Sequence, residues 1–402
     1  MNASVLNAKR ETSYASAGPL LLALLLTATG ATAATPTYYW DTNGSDDGAG
    51  NPPDGVWAGN AANWTSDPNG SSTTFVYPGR ANVIFCASGD PYWDDTYDYT
   101  VTIQGAEQVS DIQFKDGNCT LTSLSGYLDK DTPFISVLNN AQSYGQTATI
   151  NSAITSATGT TNGLDKYGPG TLILGAANTY RGPTVIESGA LGLGASQVIP
   201  STSMLVLAGG DTHPDNLFGD TPAIFQTGGF SQTLGPLLLT GPSTDLPHTI
   251  DFGSGASALV FADSHTQNWG GIILRLANYK PGADSLRFGT SSSGLTATQL
   301  GLMRFTGFLD VPGRIDANGF VTPARPILSI VATDTNHVKL TWDAISGRYY
   351  SILFKANLND ASWTTNSTTV NATSNTVSFT DTIGANRHRF YRVQLLPSQP
   401  GT

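Results

Sequence analysis

The sequence predicts an all-β protein: a right-handed parallel β-solenoid, or β-helix, followed by a small C-terminal β-sandwich. Three observations lead to this fold class. The 402 residues include 44 glycines and 22 prolines, which punctuate strands and weaken helix interiors. Charged residues make up 12% of the chain, against about 25% in an average soluble domain. A short aliphatic phrase also returns many times in the middle of the chain, as expected for stacked rungs.

Residues 1–33 are predicted to be a secretory signal peptide. Lys9 and Arg10 precede the apolar run 19–26, and Ala31-Thr-Ala33 supplies the small residues of a cleavage site. The run is shorter than the roughly 20 residues of a membrane-spanning helix. We therefore expect cleavage after Ala33, no membrane span in the remaining chain, and a secreted, extracellular or cell-surface protein.

Residues 34–146 are predicted to form an N-terminal β region. Turn-forming residues dominate its start, and alternating strand-like segments such as 99–103 and 109–114 follow. Both cysteines of the chain, Cys86 and Cys119, lie here. An oxidising compartment favours a disulfide between them, and two buried free thiols are the alternative.

Residues 147–322 are predicted to form the solenoid. The recurring phrase is an aliphatic residue, any residue, an aliphatic residue or Phe, and then Gly or Ala. The two apolar residues face the same side of a strand, and the small residue permits a corner. Their spacing along the chain is irregular, which leaves a jelly roll as an alternative. The phrase occurs at 172–175, 191–194, 205–208, 250–253, 259–262 and 286–289.

Two further elements complete the predicted organisation. Thr296 and Gln299 have the spacing of a capping box, which predicts a short helix that caps the end of the solenoid. Residues 327–402 contain six short strand-like segments at regular intervals, separated by Asp, Asn and Gly turns. This pattern is typical of a small β-sandwich.

One stretch of the solenoid region carries a specific motif. It runs Gly168-Pro-Gly-Thr-Leu-Ile-Leu174, then Ala177-Asn-Thr-Tyr-Arg-Gly182, then Thr184-Val-Ile-Glu-Ser-Gly-Ala-Leu191. This stretch closely resembles the bacterial autotransporter-associated β-strand repeat. The final segment, with Val338-Lys-Leu-Thr-Trp342, is similar to a fibronectin type III-like module. The resemblance implies a secreted or surface-displayed, adhesin-like β-helical passenger without catalytic residues of its own.

One loop of the N-terminal region has the composition of a sugar site. Residues 90–99 interleave carboxylates with aromatic rings, and such sites use flat rings for stacking and carboxylates as acceptors for hydroxyls. A polar loop anchored by buried rings is the alternative, and the same two interpretations apply to Trp57, Trp64 and Trp269. The candidate sugar platform consists of Tyr92, Trp93, Asp94, Asp95, Tyr97 and Asp98.

A second loop is a candidate calcium site. Asp41, Asn43, Ser45 and Asp47 place oxygen atoms at every second position, an arrangement that Ca²⁺ can gather from one loop. The EF-hand loop has Gly at its sixth position, where Asp46 stands here. A solvated Asx-rich turn is the alternative, and no other cofactor is predicted.

The sequence predicts a non-enzymatic, adhesin-like or structural protein that binds polysaccharide or another surface polymer, with self-association as a further possibility. The five histidines lack metal-site spacing, and Glu107 and Glu187 are the glutamates that follow residue 33. The net charge of −11 disfavours nucleic acid as a partner. The alternative is a carbohydrate-active enzyme, a polysaccharide lyase or glycoside hydrolase, on the same scaffold. Its catalytic groups would have to be scattered aspartates such as Asp251 and Asp263.

Overall fold

The structure is a computed structural model that describes residues 34–86, 98–138, 146–210, 221–308, 310–324, 328–344, 346–374, 376–383 and 388–396. Its single α-helix within these ranges is α1 (Ala297–Leu302), which is followed by a 3₁₀ turn, Thr306–Phe308. The strands, in chain order, are β1 (Thr37–Trp40), β2 (Gly55–Trp57), β3 (Trp64–Thr65), β4 (Ala81–Phe85), β5 (Asp98–Ile103), β6 (Ala106–Phe114), β7 (Asn118–Lys130), β8 (Phe134–Val137), β9 (Thr147–Ser156), β10 (Leu164–Tyr167), β11 (Thr171–Leu174), β12 (Thr184–Ile186), β13 (Gly189–Leu193), β14 (Leu205–Leu207), β15 (Ala223–Gln226), β16 (Gln232–Leu234), β17 (Leu237–Leu239), β18 (His248–Asp251), β19 (Ala258–Phe261), β20 (Leu274–Ala277), β21 (Ser285–Phe288), β22 (Met303–Phe305), β23 (Gly313–Ile315), β24 (Phe320–Pro323), β25 (Leu328–Ala332), β26 (His337–Asp343), β27 (Tyr349–Lys355), β28 (Thr364–Asn371), β29 (Thr376–Thr382) and β30 (Phe390–Leu395).

Parallel pairing between successive coils organises the chain up to β22. Ten strands form one continuous run, here called the long column: β2, β5, β7, β9, β11, β13, β15, β18, β20 and β22. A second run joins β1, β4, β6, β8, β10, β12, β14 and β17, and a third joins β16, β19 and β21. This is a parallel β-solenoid, and it confirms the predicted fold class. The strands of residues 34–146 already take part in the first two runs.

The repeated aliphatic phrase forms the inward side of the rungs. Leu172, Leu191, Leu259 and Leu286 are completely buried, as are the second apolar residues of most copies. The rings of Phe261 and Phe288 stack with centroids 4.8 Å apart across neighbouring strands. Burying one such side chain contributes roughly 1.5–3 kcal/mol, so the core gains its stability rung by rung.

The polar residues of the 164–193 motif hold corners together. Asn178 is buried; its Oδ1 accepts from the Ile154 N–H at 2.7 Å, and its Nδ2 donates to the Val198 carbonyl at 2.9 Å. Gly189 has φ +65°, and a Cβ there would lie 2.6–2.7 Å from three backbone carbonyl oxygens. These residues therefore serve the fold and are not available to a ligand.

Both ends of the solenoid are covered. At the N-terminal end Trp40, Trp57 and Trp64 are completely buried, with the Trp57 and Trp64 rings 4.9 Å apart. At the C-terminal end β24 pairs antiparallel with β21 and β23, which stops the parallel stacking. Helix α1 begins with the predicted capping box at Thr296 and Gln299. The Gln299 side chain ties the helix to the solenoid by donating to the Ser264 carbonyl at 2.8 Å.

The C-terminal segment contains all six predicted strands, arranged as two three-stranded antiparallel sheets. One has the order β25-β26-β29 and the other β28-β27-β30. Leu340 and Trp342 of the first sheet pack with Tyr350 and Ile352 of the second in one buried cluster, so the segment is a β-sandwich. Its likeness to a fibronectin type III module stays a prediction.

Candidate functional site: the outward row of the long column

The predicted sugar platform falls mostly outside the described residues. Tyr92, Trp93, Asp94, Asp95 and Tyr97 belong to the range 87–97, which the structure does not describe. Asp98 is described: it is exposed, it begins β5, and its Oδ1 accepts from the Asn118 Nδ2 at 2.9 Å. The platform therefore stays a prediction, and its last residue begins β5, the second strand of the long column.

From Asp98 a single row of side chains runs rung over rung along the outside of the long column. We call it the outward row. The pairing registers place Asp98 beside Asn118, Thr147 beside Thr171, and Arg275 beside Arg304, and the Thr147 backbone N–H donates to the Asn118 Oδ1 at 2.9 Å. At about 4.8 Å per rung the row extends about 38 Å. Its members are Asp98, Asn118, Thr147, Thr171, Ala190, Ile224, Thr249, Arg275 and Arg304.

Threonines dominate the first rungs of this surface. Thr100, Thr120 and Thr149 form a second row beside the first, in register on β5, β7 and β9. They alternate with buried Val101 and Leu121 because successive side chains of a strand point to opposite faces. Within the described part of the chain, the hydroxyls of Thr100, Thr120 and Thr149 make no hydrogen bond. They are therefore free to bond to a ligand.

The sequence-based predictions did not include this surface. Its local signal is the triplet Thr-x-Thr, which occurs at 100–102, 120–122 and 147–149. The triplets alone predict only exposed strand positions. The pairing registers are needed to bring them together into rows with hydroxyls about 4.8 Å apart across strands and about 6.6 Å apart along each strand. Such an array can bond repeatedly to a flat polymer that carries hydroxyls.

The four predicted calcium ligands differ in their exposure to solvent. Asp41 is completely buried, whereas Ser45 and Asp47 are exposed. The Asp41 Oδ1 accepts from the Asn43 N–H at 3.1 Å, which is the Asx turn that the sequence leaves as the alternative. Burial raises the pKa of Asp41 to about 6. Its Oδ2 has no hydrogen-bond partner in the structure as described, so a desolvated carboxylate oxygen remains in this loop.

The other predicted groups are buried or separated. Cys86 and Cys119 are buried and are not joined by a disulfide in the structure, in contrast to the predicted bridge, and burial raises the pKa of the Cys119 thiol. Trp57, Trp64 and Trp269 are at most 2% exposed and belong to the core. Their rings are therefore not accessible for stacking on a sugar.

The two candidate catalytic aspartates do not share a face. Asp251 lies in β18 of the long column, whereas Asp263 follows β19 in a different sheet. Each is bonded to its own neighbourhood: Asp251 accepts from Asn278 at 2.7 Å, and Asp263 pairs with His265 at 2.6 Å. Their arrangement is not that of a catalytic carboxylate pair.

A cleft of about 540 Å³ lies at the far end of the outward row. Its volume falls in the range of small-ligand sites, about 300–1,000 Å³. The lining holds three arginines and one carboxylate, in a chain with 19 Lys and Arg against 30 Asp and Glu. The cleft is lined by Ile273, Arg275, Arg304, Thr306, Asp310 and Arg348.

Comparisons with known proteins place the repeat in a family context. Residues 164–193, which span β10 to β13, match the passenger-associated-transport-repeat family. The chain is also 30% identical over 185 residues to the adhesin BmaC autotransporter of Brucella suis biovar 1 (strain 1330). That match covers 45% of this chain and 5% of the relative, so the chain spans a small part of that protein's length.

Two negative findings complete the comparisons. No solved structure matches the chain. Among the residues that the structure describes, no helix has both the length and the apolar character needed to cross a bilayer. The similarity of the chain to autotransporter passengers consists of the repeat at residues 164–193 and the partial match to the Brucella adhesin.

Proposed function

We propose that the protein is an adhesin-like β-solenoid of the cell surface or the extracellular space that binds polysaccharide along its outward row and along the second row of threonines beside it. The observation that carries the proposal is the array of half-exposed threonine hydroxyls in register on β5, β7 and β9, which lack hydrogen-bond partners among the described residues. The likeness to passenger repeats and to an autotransporter adhesin supports the location and the adhesin-like, non-enzymatic character.

The chemistry of the array suits a long neutral or sparsely charged glycan. A hydroxyl donates one hydrogen bond and accepts others, as sugar hydroxyls also do. Each net bond is worth only about 0.5–1.5 kcal/mol. Useful affinity therefore requires many bonds at once, and a rigid column that repeats the same group at every rung provides them without ordering the protein further.

Retention of the purified chain on a panel of immobilised polysaccharides tests the proposal. The variant Thr120→Val/Thr149→Val removes two hydroxyls and keeps the β-branched shape. The matched control Thr233→Val/Thr380→Val changes threonines of β16 and β29, outside the long column. We expect retention to fall about tenfold in the first variant, at about 1.4 kcal/mol per tenfold change, and to stay unchanged in the control. Equal retention of both variants, or no retention of the parent chain, contradicts the proposal.

A carbohydrate-active enzyme is the second candidate function. The observation that favours it is the cleft, which gathers Arg275 and Arg304 beside the carboxylate of Asp310 on one solenoid face. Release of new reducing ends and of unsaturated uronates from the same polysaccharides, with calcium present and then chelated, separates the two functions. Turnover of any substrate would identify the protein as an enzyme and contradict the proposed non-enzymatic function. The absence of turnover on a polysaccharide that the chain retains supports the proposed binding function.

Calcium at the Asp41 loop is a separate part of the proposal. The buried, unpartnered Oδ2 of Asp41 and the neighbouring Asn43 support it. We expect added Ca²⁺ to raise the melting temperature, a chelator to reverse the rise, and Asp41→Asn to abolish the response. The loop is only an Asx turn if Ca²⁺ leaves the melting temperature of the parent chain unchanged and Asp41→Asn is more stable than the parent at neutral pH.

A further inference from the structure

We propose that the arginine cleft at the end of the outward row binds carboxylate or sulfate groups of an anionic polysaccharide. This inference rests on the proposed function and extends it from hydroxyl recognition to the recognition of charge. The arginines come from three separate places in the chain: Arg275 in β20, Arg304 in β22, and Arg348 just before β27.

Two like charges are stacked on the last two rungs of the outward row. Arg275 and Arg304 are register partners on neighbouring parallel strands, about 4.8 Å apart at the backbone. Like charges in such positions repel each other and destabilise the pair. In the described residues no carboxylate lies within ion-pair distance of either guanidinium. An anion from outside the chain would remove this repulsion.

Guanidinium donors of the cleft remain available to a ligand. Arg304 uses its Nη1 to donate to the Gly301 carbonyl at 2.6 Å and to the Met303 carbonyl at 2.7 Å, which fixes the guanidinium in place. Arg275 is exposed, and its guanidinium makes no hydrogen bond within the described segments. Guanidinium groups present N–H donors in a planar fork that matches carboxylate and sulfate oxygens. Thr306 and Ile273 add a hydroxyl and an apolar wall beside them.

The positive charge of the outward row is confined to its far end. The outward row is uncharged at Thr171, Ile224 and Thr249 and becomes cationic only on its last two rungs. A continuous polyphosphate would meet one cationic cleft on a chain of net charge −11. A glycan with occasional acidic sugars can place its hydroxyls on the threonine rungs and one or two anionic groups in the cleft. The pattern therefore favours an acidic polysaccharide over a nucleic acid.

Binding of defined anions tests this inference directly. Oligogalacturonate and its methyl ester differ only in whether the carboxyls are charged, and dextran sulfate and dextran differ only in sulfate. We expect the purified chain to bind the charged member of at least one pair about tenfold or more tightly, since a hydrogen bond to a charged group is worth more than a neutral one. Added salt should weaken that binding. The pair that responds identifies carboxylate or sulfate as the recognised group.

Two variants with equal charge change locate the binding. Arg275→Gln/Arg304→Gln should lose about tenfold or more in affinity for the charged ligand, should lose less in affinity for the neutral member of the same pair, and should melt no lower than the parent chain. Arg181→Gln/Lys339→Gln removes two exposed charges from elsewhere and should bind like the parent chain. Equal loss in both variants would overturn the inference, because it would show attraction by net charge alone.

The outcomes separate this inference from the proposed function. Equal binding of the charged and the neutral member in both ligand pairs refutes the arginine site and leaves the proposed binding of polysaccharide along the outward row intact. Arginine-dependent binding of oligogalacturonate without any effect of Thr120→Val/Thr149→Val keeps the site and refutes the threonine row. Tighter arginine-dependent binding of single-stranded oligothymidylate than of either acidic glycan overturns the choice of ligand class.

Discussion

The two ends of the long column bury similar apolar side chains but expose different polar side chains. At the first end Val101 and Leu121 are buried and the outward partners are threonines; at the last end Leu276 and Phe305 are buried and the outward partners are Arg275 and Arg304. The register is set by the inward residues and the corners, since a slip of one residue would bring the polar row into the core. The outward residues do not set the register, so their identity can determine which ligand is bound.

The largest expected effect separates inward from outward positions on one strand. Leu172 is completely buried in β11, and Thr171 beside it belongs to the outward row. Leu172→Ala should lower the free energy of unfolding by about 2–5 kcal/mol, because it leaves a cavity between rungs. Thr171→Val should change it by no more than about 0.5 kcal/mol.

Denaturant unfolding of the two variants checks this difference. Similar losses in both would contradict the assignment of stability to the inward side. A ligand-binding defect in Leu172→Ala that persists where the variant is fully folded would contradict the assignment of recognition to the outward side.

The second prediction concerns pH near the threonine end. Glu107 in β6 is buried, and this burial raises the pKa of its carboxyl to about 7. The unfolded carboxyl titrates near pH 4.3. The folded state therefore binds the Glu107 proton more tightly than the unfolded state does. The resulting contribution to the free energy of unfolding is fully present below about pH 4.3 and is lost as the pH rises through about 7.

The expected loss across this window is on the order of 1–3 kcal/mol, at about 1.4 kcal/mol per pKa unit. Glu107→Gln should flatten this part of the stability profile and be more stable than the parent chain above pH 7. Thermal unfolding from acid to neutral pH measures it. A parent and variant with parallel profiles would show that Glu107 titrates normally.

The third and smallest prediction concerns the arginine end. Thr296 caps α1 by accepting from the Gln299 N–H at 3.2 Å. Thr296→Ala should lower the free energy of unfolding by about 1 kcal/mol, and Thr296→Ser should not. Hydrogen exchange should show the loss in α1 and β22 and not in β5 or β7. Uniform loosening of the whole column would contradict the nearest-neighbour description of the rungs.

The sequence predicts the inward half of this molecule well, because burial leaves a local pattern. The aliphatic phrase at 172–175 and 286–289 marks buried strand positions, and the capping box at Thr296 marks the start of α1. The same alternation is present in the sandwich, where Tyr350 and Ile352 share the buried, inward face of β27.

The outward half is not predictable in the same way. Arg275, Arg304 and Arg348 are far apart in the chain, and only the registers and the position of the turn before β27 bring them to one cleft. The oxygen pattern of Asp41, Asn43, Ser45 and Asp47 does not fix the geometry of its loop either: Asp41 is buried and accepts in an Asx turn, whereas Ser45 and Asp47 are exposed, and the calcium site stays a prediction.

Side-chain footprinting of the chain with and without a retained polysaccharide tests the central claim most directly. The claim is that ligand lies along the outside of the long column. Ile173 and Ile224 report on that surface, and the exposed Ile330 and Val331 of β25 report on the sandwich. We predict protection of Ile173, Ile224 and Arg275 on binding, with Ile330 and Val331 unchanged. Protection confined to the sandwich, with the long column as reactive as before, would contradict the account.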